Sequence, residues 1–153
     1  MMAYEKITYV VLVVILLVGV GTTAALFMIM QDQNVDYTKP HNYSLDGTSY
    51  GESVDGFGDS KFINESEREY VYQFENHVKG LEIPTFTVIC NSDKVPNDIY
   101  ERLGEITVDD KQCTEWTYSV KGVSFTFDID SNMVVHRYMI ESDYYSLTAK
   151  QVD

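Results

Sequence analysis

Apolar side chains are distributed along this chain in two distinct ways. From Ile7 to Met30 (ITYVVLVVILLVGVGTTAALFMIM) they run on with no charge, proline or amide between them. From Thr48 onward they alternate with polar ones. At about 1.5 Å of rise per residue the first run makes a helix of roughly 36 Å, enough to cross a hydrocarbon core of about 30 Å with some tilt. Thr23-Ala24-Ala25 resembles a signal-peptide cleavage site, but the apolar run continues through Leu26, Phe27, Met28, Ile29 and Met30. A cleaved signal has a shorter core, so the pattern favours an uncleaved signal-anchor. Residues 1–6 are then a head, 7–30 a transmembrane helix, 31–47 a polar tether (QDQNVDYTKPHNYSLDG) and 48–153 one folded domain.

In the domain the dominant period is two, the spacing of half-buried strands. Tyr70, Tyr72 and Phe74 alternate with polar or smaller residues, as do Phe86, Val88 and Cys90. Trp116, Tyr118 and Val120 precede Lys121-Gly122, after which Val123, Phe125, Phe127 and Ile129 follow in the same rhythm. Two alternating runs about a two-residue junction containing glycine predict a hairpin. Met133–Glu141 and Tyr144–Ala149 extend it to a meander. One segment departs from the pattern: Pro96 to Gly104 has proline near its start, acids early, Arg102 late and glycine at its end, the signals of a short helix. Val95, Ile99 and Leu103 would share its buried face. The expected class is α+β, mainly antiparallel β-sheet in a partly open barrel or a sandwich, with one short helix. The carboxylates of Gly51–Asp59 read as a solvated acidic loop.

Charge narrows the partners. The chain carries 24 acidic and 11 basic residues, a net −13. Glu5 and Lys6 cancel in the head, so the whole excess belongs to residues 31–153. Binding nucleic acid requires a Lys/Arg face that displaces counterions from phosphates, which this composition lacks. A basic protein partner fits it better. The slight charge bias of the flanks, Lys6 against Glu5 on one side and Lys39 against Asp32 and Asp36 on the other, favours the head inside and the domain outside.

Two features agree with an exported domain. Asn42-Tyr43-Ser44 and Asn64-Glu65-Ser66 are glycosylation acceptors. Cys90 and Cys113 would pair in an oxidising compartment, closing a loop of about 24 residues and contributing roughly 3 kcal/mol. Within the apolar run, Gly19 with Thr23 and Gly21 with Ala25 give the small-xxx-small spacing through which two membrane helices pack, so self-association is a further expectation.

Motifs for chemistry are sparse. Asp128-Ile129-Asp130-Ser131-Asn132 matches the opening of a calcium loop, but Met133 and Met139 stand where glycine and glutamate are needed. Asp, Ser and Asn also suit an ordinary hairpin turn. His41, His77 and His136 have no second His or Cys at zinc-ligand spacing. There is no G-x-S-x-G and no phosphate-binding glycine loop, and no cofactor is expected. The reading that follows is a single-pass, membrane-anchored, extracytoplasmic and non-enzymatic domain that docks a protein. The alternative is a carrier of a small ligand or cation. An extracytoplasmic enzyme would require a nucleophile or paired acids meeting in a cleft.

Overall fold

The alternating runs become sheet. The computed structural model describes residues 36–63 and 69–153, in which nine strands follow in chain order: β1 (His41–Ser49), β2 (Glu52–Phe62), β3 (Tyr70–Val78), β4 (Phe86–Cys90), β5 (Glu101–Val108), β6 (Lys111–Val120), β7 (Val123–Ile129), β8 (Val135–Glu141) and β9 (Tyr145–Gln151). They form one open sheet in the order β4-β3-β2-β1-β9-β8-β7-β6-β5, antiparallel throughout. The chain steps outward from β1 to β4, crosses to the opposite edge through residues 91–100, and steps back until β9 pairs with β1. Three junctions are two-residue turns with positive φ at both central positions: Tyr50-Gly51, Asp109-Asp110 and Lys121-Gly122. Turns of that hand match the twist of the strands they join.

One face of the sheet supplies the core. Tyr43 and Leu45 of β1 meet Tyr72 and Phe74 of β3, Phe86 and Val88 of β4, Phe125 and Phe127 of β7, and Tyr138 and Ile140 of β8. Burying each such side chain stabilises the fold by about 1.5–3 kcal/mol. Phe86 stacks on Phe125 with ring centroids 4.4 Å apart, although five strands separate β4 from β7 in the sheet order. The sheet therefore curves until its β4 side lies over its β7 side. The outer edge of β4 is covered by the crossing segment: the Tyr100 hydroxyl donates to the Thr87 carbonyl at 2.8 Å and accepts from the Ile89 amide at 3.0 Å, and the Asn97 amide donates to the Ile89 carbonyl at 3.0 Å. Inside, Tyr138 donates to the Asn76 side-chain oxygen and so ties β8 to β3. Gly58 makes room for that bond, since a Cβ there would run into both partners.

Four expectations change. Residues 96–104 are no helix, and none occurs among the described residues, so for these the class is mainly antiparallel β. Asn97 instead closes a local turn, its side-chain oxygen accepting from the Ile99 amide at 3.2 Å, and β5 begins at Glu101. Val95, Ile99 and Leu103 are consequently exposed. Residues 41–47, read as tether, lie in β1, where only Tyr43 and Leu45 reach the core. Gly51–Asp59, read as a loop, falls mostly in β2, whose inward positions include Gly56, Gly58 and Ser60, too small to register as an apolar alternation. Lastly, Cys90 and Cys113 form no disulfide; both are buried free thiols. Cys90 belongs to the core cluster, whereas strand alternation sets Cys113 beside Glu115, on the face opposite Trp116 and Tyr118. The head at 1–6, the helix expected at 7–30 with Gly19, Gly21, Thr23 and Ala25, and Asn64 lie outside the described residues.

Candidate functional site

Away from the core, the outer face carries two groups of ionisable side chains. The first lies on β6, β7 and β8. Register places Glu115 opposite Asp128 and Asp128 opposite Arg137, so the three stand in line across adjacent strands. Arg137 Nε donates to Asp128 Oδ2 at 2.8 Å, and its Nη2 lies 3.8 Å from Glu115. Asp128 is only 1% exposed, and its Oδ1 has no hydrogen-bond partner. Burial, and next the neighbouring Glu115 carboxylate, push the Asp128 carboxyl up to about 7 against the opposing pull of Arg137. Two carboxylates thus share one guanidinium, and a proton on Asp128 gives the bare oxygen a bond to Glu115.

The turn after β7 continues this group. Asp130 Oδ1 accepts from the Asn132 amide at 2.8 Å and the Val134 amide at 3.0 Å, while Oδ2 pairs with His136 Nε2 at 2.7 Å. Burial would raise the Asp130 carboxyl, but the bonds from His136, Val134 and Asn132 outweigh it and hold the group below its ordinary value. Asp128 Oδ2 is engaged by Arg137, Asp130 Oδ1 by the amides of its own turn and Asp130 Oδ2 by His136, so of these four oxygens only the buried Asp128 Oδ1 lacks a partner. Where a calcium loop has glycine, Met133 takes a φ of 62° and is buried in the core.

Beside this turn lies a cleft of about 430 Å³, lined by Val95 and Pro96 of the crossing segment and by Cys113, Trp116, Ile129 and Asp130. Its thiol is a poor nucleophile: burial, then Asp130 and Asp128, push Cys113 up to about 11, and burial pushes Cys90 up to about 12. Ile99, Leu103 and Val95 are 60%, 51% and 42% exposed. β5, on which Leu103 sits, ends the sheet, and its far side has no strand partner among the described residues.

The second group lies on β2 and β3. Asp59 is registered with Glu75, and His77 follows two residues on, on the same face of β3. One ligand atom from each lies within 4.8 Å of the other two. Lys61 Nζ is 3.5 Å from Glu75 Oε1, and the Phe57 ring packs against the His77 imidazole at 4.8 Å between centroids. Asp59 Oδ1 is shielded from solvent and has no hydrogen-bond partner. Sequence reasoning passed over this group because two of its members come from β3 and the third from a strand read as loop. The available signal was Glu75-x-His77 within an alternating run.

The remaining residues stand apart. Asn42 is exposed on β1, opposite Asp59 in register. His41 lies 3.0 Å from the Gln151 amide nitrogen and 3.5 Å from Asp153. Tyr144 is exposed and packs on Tyr50 at 5.5 Å, whereas Tyr145 is buried.

No protein-family model matches this sequence, and no curated protein matches it either. Among solved structures, the chain is similar to one titled as the crystal structure of MucB in complex with MucA(peri), with a TM-score of 0.35 and 8% identity, over 75% of this chain and 49% of that one. The chain spans about half the length of that protein.

Proposed function

We propose that this chain is a single-pass membrane protein whose extracytoplasmic β domain docks another protein and catalyses no reaction. The observation that carries the reading is the unpaired edge of β5, which carries the exposed Leu103 and is preceded in the chain by two more exposed apolar side chains, Ile99 and the cleft-lining Val95. Isolated exposed apolar residues are common, but an unpaired strand edge that carries one offers backbone groups onto which an extended segment can add as a further strand. The partner segment fitting that edge is extended, with apolar side chains for the exposed Leu103 and basic ones for the domain's surplus of carboxylates, since the chain's net charge is −13. The uninterrupted apolar run at 7–30 supports the membrane attachment, and the flanking charges and the two acceptor asparagines support the outward orientation of the domain.

The test is site-specific photocrosslinking in native membranes, with the probe at position 99 or 103 and, as control, at Asp55 on β2. A discrete heterologous adduct from 99 and 103, absent from 55 and lost in Val95→Asp, is the expected outcome. Only monomer, or the same adducts from all three positions, overturns the reading.

A further inference from the structure

We propose that Asp59, Glu75 and His77 bind a divalent transition metal of the zinc type on the outer face of β2 and β3. This site is separate from the β5 edge and does not rest on the docking reading. Three side chains able to ligate a metal converge, with one donor atom from each within 4.8 Å of the others. Their backbone positions are fixed by sheet register, not by a loop, because Asp59 and Glu75 are directly paired and His77 is the next residue on the same face. The Asp59 Oδ1 is an independent sign of a missing partner: it is shielded from water and no protein donor reaches it. A carboxylate oxygen in that condition is costly, and a cation supplies what the chain does not.

The donor set selects the metal. Calcium and magnesium take oxygen ligands, whereas two carboxylates and one imidazole suit zinc and its neighbours. Bonds of about 2.0–2.2 Å in tetrahedral geometry place ligand atoms roughly 3.4 Å apart, so from separations within 4.8 Å the side chains must close by up to about 1.4 Å. His77 is exposed and Glu75 half-buried, so both have freedom to move, while the packed Phe57 ring limits the tilt of the imidazole. Lys61 is the competing cation, but at 3.5 Å from Glu75 and 57% exposed it is weakly held and can swing into solvent. Three protein ligands leave a fourth position open to water, the arrangement of zinc sites that accept an exogenous ligand.

The experiment uses the full chain, stripped of metal and purified in detergent, titrated with zinc chloride by calorimetry and read in parallel by its unfolding midpoint. One equivalent of zinc binding with a raised midpoint is expected, and magnesium chloride should move neither. His77→Ala and Glu75→Gln should each weaken zinc by about 100-fold, since loss of even an outer-shell partner costs about 10–100-fold. Both positions leave the core untouched, and circular dichroism checks that each variant keeps its sheet. Cobalt substituted for zinc should give visible absorption bands that the His77→Ala variant lacks. Absence of zinc binding below millimolar concentration, or binding unchanged by both substitutions, overturns the proposal. So does binding abolished only by His136→Ala, which would move the metal to the Asp130 turn.

Discussion

The two ionisable groups on the outer face are built from similar parts and end in opposite states. On β6 to β8, the carboxylates of Glu115, Asp128 and Asp130 meet Arg137, His136 and two backbone amides, so nearly every charge has a partner within the group. On β2 and β3, the carboxylates of Asp59 and Glu75 meet one imidazole and one loosely held lysine. Type and number of acids do not separate a structural network from a binding site. What separates them is whether the neighbouring strands supply donors: β8 presents Arg137 in register with Asp128, whereas β1 presents the neutral Asn42 opposite Asp59. Each group leaves one buried carboxylate oxygen unpartnered, Asp128 Oδ1 and Asp59 Oδ1, but in the first a guanidinium already sits against the carboxylates, and in the second only the loosely held Lys61 does.

That contrast can be broken at several points. The largest effect is expected where the two halves are tied together behind the clusters, at Gly58. Gly58→Ala drives a methyl group into the Tyr138–Asn76 bond and should cost about 3 kcal/mol through overpacking and the lost hydrogen bond. Urea unfolding followed by the fluorescence of Trp116, the single tryptophan, measures it. Next is Arg137→Met, which leaves Asp128 and Glu115 without their cation. Because Arg137 is partly exposed and Asp128 can take up a proton, about 2 kcal/mol is expected, below the full cost of breaking a buried pair. The same unfolding measurement should show that cost rising from pH 6 to pH 8.

A further test reads the slope of stability against pH. The Asp128 carboxyl sits at about 7 in the folded protein against an ordinary 3.8, so between those values the fold holds a proton that the unfolded chain has released. Its contribution to stability is complete below about pH 4 and declines as pH rises towards 7. Asp128→Asn should remove that decline, and the two stability profiles should converge in acid. Smallest is Lys61→Met, which breaks an exposed ion pair and should change stability by less than about 0.5 kcal/mol. It sharpens the contrast because Glu75 loses its competing cation: zinc should bind several-fold tighter in this variant, whereas equal or weaker binding would show that Lys61 does not hold the site closed.

Legibility in the sequence followed burial. β3, β4 and β6 to β9 announced themselves because their inward positions are filled by large apolar side chains at period two, from Tyr72 and Phe74 to Leu147 and Ala149. β2 did not, because Gly56, Gly58 and Ser60 fill inward positions, Gly58 crowded by Tyr138 and Asn76 and Gly56 by the His77 carbonyl and Val78, all from other strands. β5 was obscured by Pro96, Asn97 and Gly104, whose local signals suit a helix but serve a crossing segment and a bulged edge strand. The Cys90–Cys113 pairing failed for a similar reason. Spacing allows the bond, but alternation puts the two thiols on opposite faces.

By itself the sequence determined the uninterrupted apolar run, the acidic balance, the aromatic alternation and the hairpin at Lys121-Gly122, because each depends on neighbours within a few residues. Only the tertiary structure decided which carboxylates are neutralised and which face an empty partner position. Glu115, Asp128 and Arg137 meet because three strands pair in one register; Asp59, Glu75 and His77 meet because two others do. A one-residue slip in either pairing would turn those side chains to the other face, so the sites are properties of register, which no local pattern in the chain records.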